Sequence, residues 1–267
     1  MRDPRTAQRA VPTNDLTDMN SAFVNIKAIA KRELGGYFSS PVAYVFMVIF
    51  LLLTGFFTFT MEGNLFQVGQ ASLESFFRWH PWLYLFLVPC VGMRLWAEER
   101  RVGTLELLLT KPITAWQAIV GKFLASWIFI GISLALTFPV VITVNYLGTP
   151  DNGAILAAYV GSFLMAGTYL AISCMTSAMT RNQVVSFIVS VVICLFMVLC
   201  GFTYVTDYLR RFDKPWLVDL VSSFSVITHF ESFRTGMLDS RDVIFFLLVI
   251  SFALFTNGVI IRSHRAG

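Results

Sequence analysis

Few side chains in this sequence could do chemistry, and their spacing excludes most of it. The three histidines, His80, His229 and His264, are far apart. The nearest approach to a zinc-hydrolase helix is "THFES", where His229 and Glu231 stand at the wrong spacing for HExxH. No metal site is expected. No GxSxG elbow or aspartyl-protease motif occurs, so no catalytic residue is assigned. "GKF" at Gly121–Phe123 ends like a phosphate-binding loop. However, Trp116 stands where that loop needs its first glycine, and Phe123 where it needs Ser or Thr. The chain therefore carries no visible means of hydrolysing ATP. Its cysteines, Cys90, Cys174, Cys194 and Cys200, form no CxxC pair and lie in apolar runs, where they read as small buried hydrophobes.

One stretch concentrates charge. "MRLWAEERRVGTLELLLTKPITAWQ", from Met93 to Gln117, holds Arg94, Glu98, Glu99, Arg100 and Arg101, then turns apolar. Leu105, Leu108 and Leu109 recur at i, i+3 and i+4. Thr104 can cap a helix there, Glu106 suits its dipole, and Pro112 can end it. The spacing predicts a short helix with an exposed apolar stripe and charges at its entrance. Such a patch rimmed by charge suits a partner surface. A helix resting on a membrane is the alternative.

The elements around this stretch must live in lipid. Apolar residues make up 56% of the chain, charged residues 13%, and mean hydropathy is +0.70. A soluble fold of this length could not hide so much apolar surface. The net charge of +4 is modest and gives no nucleic-acid signal. Six segments are long and apolar enough to cross a bilayer: Pro41–Met61, Trp79–Ala97, the uncharged run between Lys122 and Asp151, Gly153–Met179, Gln183–Tyr204 and Val243–Ile261. With both termini in the cytoplasm, fourteen of the twenty Lys and Arg residues fall on the inner side, as positive residues do in membrane proteins. Met93–Gln117 then lies largely on the inner face. The polar residues 1–21 lack the apolar core of a secretory signal and are expected to be a disordered cytoplasmic tail.

Between Ala22 and Phe38, Phe23, Ile26, Ala30, Leu34 and Tyr37 recur at helical spacing while Lys27 and Lys31 face elsewhere. This predicts an amphipathic helix in the headgroup region with its lysines toward anionic lipid; a plain extension of the first span is the alternative. Gly35 and Gly36 can end it and Pro41 can open the next helix. In the fourth span Ala154, Ala158, Ser162 and Ala166 form a stripe of small residues, a signal for close helix packing. Pro89 and Pro139 predict kinks in spans two and three. The long outer loop, Val205 to Asp242, carries Trp216, Leu217, Leu220, Phe224, Phe230 and Phe233, which predict short amphipathic helices at the outer interface. Spans one, four, five and six hold no charged side chain, and Arg94 lies near the inner end of its span. This argues against ion coupling.

Three segments resemble the permease subunits of type-2 ABC exporters, particularly the branch that includes the gliding-motility permease. They are "KRELGGYFSSPVAYVF" (Lys31–Phe46), "RLWAEERRVGTLELLLTKPITAWQAIVGKFLA" (Arg94–Ala125) and "FSVITHFESFRTGMLDSRDVIFF" (Phe224–Phe246). The resemblance covers nearly the whole chain after Ala22. It implies an all-α integral membrane protein with six transmembrane helices in residues 41–267 and a connecting helix in residues 22–40, with Lys27, Lys31 and Arg32 at the lipid surface. Glu98, Glu99, Arg100, Arg101, Gly103 and Thr104, with Leu105, Leu108 and Leu109, would form a coupling helix that docks into a separate ATPase. The loop before the last span would hold re-entrant helices. The implied partners are ABC ATPase subunits carrying ATP and Mg, a second permease copy or a related permease, membrane lipid, and an accessory membrane or periplasmic subunit. The implied place is the bacterial inner membrane. A non-transporting anchor or regulatory subunit, and a channel or membrane enzyme, stay open as alternatives. The cargo is open.

Overall fold

A computed structural model of the chain describes residues 15–60, 72–103, 114–210 and 215–263, and these form thirteen helices with no strand among them. Helix α1, Asp15–Ser39, precedes α2, Pro41–Thr60. A short α3, Glu74–Arg78, leads into α4, His80–Gly92, and α5, Arg94–Val102. Then come α6, Ala115–Ala135, α7, Phe138–Leu147, α8, Asn152–Met179, and α9, Gln183–Leu199. Three short helices, α10 (Thr203–Arg210), α11 (Pro215–Ser223) and α12 (Val226–Arg234), precede the last, α13, Ser240–Ser263.

Four stretches among the described residues are long and apolar enough to cross a membrane: α2, the run from Ala115 to Leu147, α8 and α13. The apolar α9 is shorter, at 17 residues. The segment predicted as the second span is two helices. Pro89 has no N–H to offer Leu85, and α4 stops at Gly92. The new helix beyond Met93 lacks a cap of its own, and α8 supplies one. Ser177 Oγ accepts from the N–H groups of Trp96 and Ala97, both at 3.0 Å, and donates to the Met93 carbonyl at 2.8 Å. The break expected near Pro139 falls just before it, where Thr137 Oγ1 donates to the Leu134 carbonyl at 2.6 Å and Tyr159 donates to Thr137 at 2.9 Å.

Helix α8 is the hub. Its small-residue stripe is buried, with Ala158, Ser162 and Ala166 all at 1% exposure or less. Tyr84 and Ser162 share a hydroxyl hydrogen bond of 2.9 Å across α4 and α8. A Cβ at Gly161 would lie 2.5 Å from Phe233 of α12, so glycine sets how closely those helices approach. In α2 the Thr54 and Thr58 hydroxyls donate to carbonyls one turn back, at 2.6 Å each. A membrane helix satisfies internal hydroxyls in this way.

Helix α1 differs from the sequence reading at both ends. It begins at Asp15, inside the stretch expected to be a tail, and runs through Gly35 and Gly36 to Ser39. The last turn is held by packing: Tyr37 stacks on Phe129 at 5.0 Å and donates to Ser126 Oγ at 2.8 Å. Phe23, counted on the apolar face, is 70% exposed, and Ile29 is buried in its place. In the loop before α13, Phe230 and Phe233 are buried, while Trp216, Leu220 and Phe224 are exposed.

Candidate functional site

At one end of the bundle α1, α5, α6 and the C-terminal turns of α8 and α13 converge. Helix α6 starts with a reciprocal cap. Gln117 N–H donates to Thr114 Oγ1 at 3.3 Å, and the Gln117 side chain accepts from Thr114 N–H at 3.2 Å. Asn25 of α1 donates to the same Gln117 oxygen at 3.4 Å. One turn further along, Lys122 points inward with only 4% of its side chain exposed. Its ammonium lies 2.8 Å from Glu99 Oε1 of α5 and 3.4 Å from Glu33 Oε1 of α1, and 5.4 Å from the centre of the Trp96 ring. One buried cation thus ties together the amphipathic helix, the charged helix and a membrane helix.

The charge balance follows from this geometry. Burial opposes ionisation of Glu33, but the Lys122 ammonium and the Arg32 guanidinium outweigh it and hold the carboxyl below its ordinary value. Arg32 itself sits 2.7 Å from Glu33. Trp96 donates from Nε1 to Cys174 Sγ at 3.2 Å, and Asn257 of α13 donates to the same sulfur at 3.0 Å. Arg100 donates to the Ala178 carbonyl at the end of α8. Arg262 of α13 lies 5.8 Å over the Trp116 ring. Every element at this end is therefore joined to α5 or α6 by a polar contact.

The residues singled out in the sequence divide clearly. Glu99 and Arg100 are half-buried in this knot, and Glu98 and Arg101 are exposed beside it. Gly103 ends α5 in the left-handed region at φ 77°, with its N–H on the Glu99 carbonyl. Only glycine takes that conformation without strain. Lys27, Lys31 and Arg32 are exposed on α1. Thr104, Leu105, Leu108 and Leu109, and with them the helix predicted to end at Pro112, lie outside the described residues. Sequence reasoning missed Lys122, Glu33 and Trp96. The available signal was a lone lysine about two helical turns inside an apolar run, with acids in the two neighbouring amphipathic segments.

The opposite end is built differently. His229 Nδ1 faces Asp242 Oδ1 at 2.6 Å, joining α12 to the start of α13, and its ring stacks on Phe245. Arg234 bridges Glu74, at 3.4 Å, and Glu231. Among the described residues no group of His, Cys, Asp and Glu is placed to hold a metal ion.

Long apolar helices around a buried hub, with an amphipathic helix bound beneath them, define a multi-pass membrane protein. The chain belongs to the ABC-2 family of transporter proteins, whose family model matches residues 83–258. That match runs from α4 into α13 and includes Glu98–Arg101 and Lys122, so the chain is a membrane permease of the ABC transporter class. Membrane subunits of this family are generally non-catalytic. No curated protein matches the chain.

Proposed function

We propose that the chain is the permease subunit of an ABC exporter, driven by a separate ATP-hydrolysing subunit that docks on residues 98–112. The observation that carries this reading is the ammonium of Lys122 held between Glu33 and Glu99. A loop that receives force from a soluble motor must be anchored on both sides. Helix α5, which enters the loop, and α6, which leaves it, are joined by that ion pair, and α1 is clamped to both. Glu98, Glu99, Arg100 and Arg101 orient the motor, and Leu105, Leu108 and Leu109 bind it. Gly103 and Thr104 belong to the same docking segment.

In this reading the knot faces the bacterial cytoplasm, both termini lie there, and the chain crosses the inner membrane six times within residues 41–267. The crossings α4–α5 and α9 complete the four long ones. Helix α1 is the connecting helix, with Lys27, Lys31 and Arg32 at anionic lipid, and α10 to α12 are outer helices dipping toward the bilayer. A second permease copy or a related permease completes the pathway. ATP and Mg bind in the partner ATPases, and the chain is of the gliding-motility type, a reading supported by the resemblance of the quoted motifs. Purification from the native membrane with partners identified by mass spectrometry tests the reading. An ABC ATPase recovered in amounts comparable to the permease is expected. A purified complex lacking any ATPase, from membranes where one is expressed, would reject it.

A further inference from the structure

A cavity of about 460 Å³ opens between α1, α2, α4–α5 and α6, beside the ion knot. Its wall is apolar and lipid-accessible: Val42, Val45 and Ile49 of α2 line it and are all more than 40% exposed. Its floor includes Val91 and Phe129. Its rim is charged, and the charges are ordered. Arg94 lies at the apolar end, and Glu98 lies one helical turn further along α5, about 6 Å nearer the charged loop. Lys122 is already committed to Glu33 and Glu99. Among the described residues no carboxylate lies within ion-pair distance of Arg94, although it stands next to an apolar trench.

We infer that this trench binds a glycerophospholipid with a primary-amine headgroup, taken from the leaflet beside α1. Acyl chains lie along Val42, Val45 and Ile49. The phosphate meets the Arg94 guanidinium, which offers a planar fork of donors. The ammonium, further from the acyl chains than the phosphate, meets Glu98, which is likewise further along α5. Charge order on the helix matches charge order in the lipid. A headgroup without an amine leaves Glu98 facing the phosphate region unpaired. A quaternary amine reaches it but donates no hydrogen bond. The inference rests on the proposed orientation, in which α1 lies at a membrane surface, and names a lipid partner for the permease.

The test is native mass spectrometry of the full chain with its partners, titrated with dioleoyl phosphatidylethanolamine, phosphatidylcholine or phosphatidylglycerol. The parent should retain the ethanolamine lipid about tenfold more tightly than either of the others, the worth of one charge-assisted hydrogen bond. Arg94→Gln should weaken all three by about tenfold or more. Glu98→Gln should erase the preference for ethanolamine over choline. Val45→Trp fills the trench from its exposed wall, where no packing is disturbed, and should also release the lipid. Equal retention of the three lipids by the parent overturns the inference, as does parental retention by Arg94→Gln. A lipid-free dimer that Val45→Trp converts to monomer overturns it too, since a second copy of the chain then covers the trench. The same spectra report bound ATPase. In the parent, its absence alongside intact lipid preference rejects the proposed motor docking and leaves the lipid site standing.

Discussion

The two ends of the bundle use charge in opposite ways. Beside α5, a lysine with 4% of its side chain exposed sits between two carboxylates that are each 22% exposed. Beside α12, Glu74 and Glu231 share Arg234 while 48% exposed themselves, and buried aromatics such as Phe76, Phe77, Phe233 and Phe246 fill the space beneath. Carboxylates as exposed as Glu74 and Glu231 contribute little because water already solvates them. A buried ion held by two partners is costly to leave unpaired, so it fixes the relative positions of its helices. The end that joins three helices rigidly is the end from which the charged loop emerges, and the other end is closed mainly by packing.

The largest effect should come from the knot itself. Lys122→Met removes the cation that Glu33 and Glu99 share. The loss should be about 3 kcal/mol, the lower part of the range for breaking a buried pair, since both carboxylates reach some water. Thermal unfolding of the purified protein in detergent measures it. Adding Glu33→Gln and Glu99→Gln to Lys122→Met should restore much of the loss, and absence of any recovery would mean the lysine acts through something other than its pairing.

Packing in the hub comes next. Ala158→Leu or Ser162→Leu adds bulk to fully buried positions of α8, where overpacking costs about 1–3 kcal/mol. Ser162→Leu should be the worse of the two, because it also strands the Tyr84 hydroxyl. Parental melting of both variants would show that the small-residue stripe tolerates bulk and that the hub is looser than its geometry.

At the opposite end, Asp242→Asn weakens the link to His229 and should cost about 1 kcal/mol, against roughly half that or less for Glu231→Ala on the exposed pair. If Glu231→Ala cost more, the contrast between exposed and buried charge would fail. The smallest effect is acidification. The folded-state value of Glu33 lies below its ordinary 4.5, so its pairing stabilises the protein above that pH and is lost as pH falls through the lowered value. Melting temperatures of the parent and Glu33→Gln should differ at neutral pH and converge in acid. A gap that widened in acid would reverse the assignment.

Much of this architecture was legible in the sequence where solvent decides structure. Long apolar runs gave the bounds of α2, α8 and α13 to within a few residues, because lipid permits only helices with satisfied backbones. The stripe on α8 was legible for the same reason: small residues at fixed spacing serve little except close approach. What depended on distant partners was not legible. The start of α5 depends on Ser177, far along the chain, which caps it. The helix through Gly35 and Gly36 persists because Phe129 and Ser126 hold Tyr37. Lys122 read as a boundary charge, since nothing local distinguishes a lysine that reaches water from one folded back onto two acids. Of the candidate coupling residues, Glu99 lies on Lys122 and Arg100 on the end of α8, and neither tie was visible without the fold.

The central claim is that the loop anchored by Lys122 carries a motor. Leu105→Ser with Leu108→Ser removes apolar area from the proposed docking segment without changing any residue of the four long apolar helices. Two buried leucines contribute up to roughly 3–6 kcal/mol, enough to weaken a micromolar contact by orders of magnitude. The direct measurement is ATPase retained on the permease after affinity capture, with membrane insertion measured on the same preparation. The account predicts a variant that inserts like the parent and retains almost no ATPase. A variant that inserts and keeps its ATPase at parental stoichiometry would contradict it, and would favour the alternative of a segment resting on the membrane.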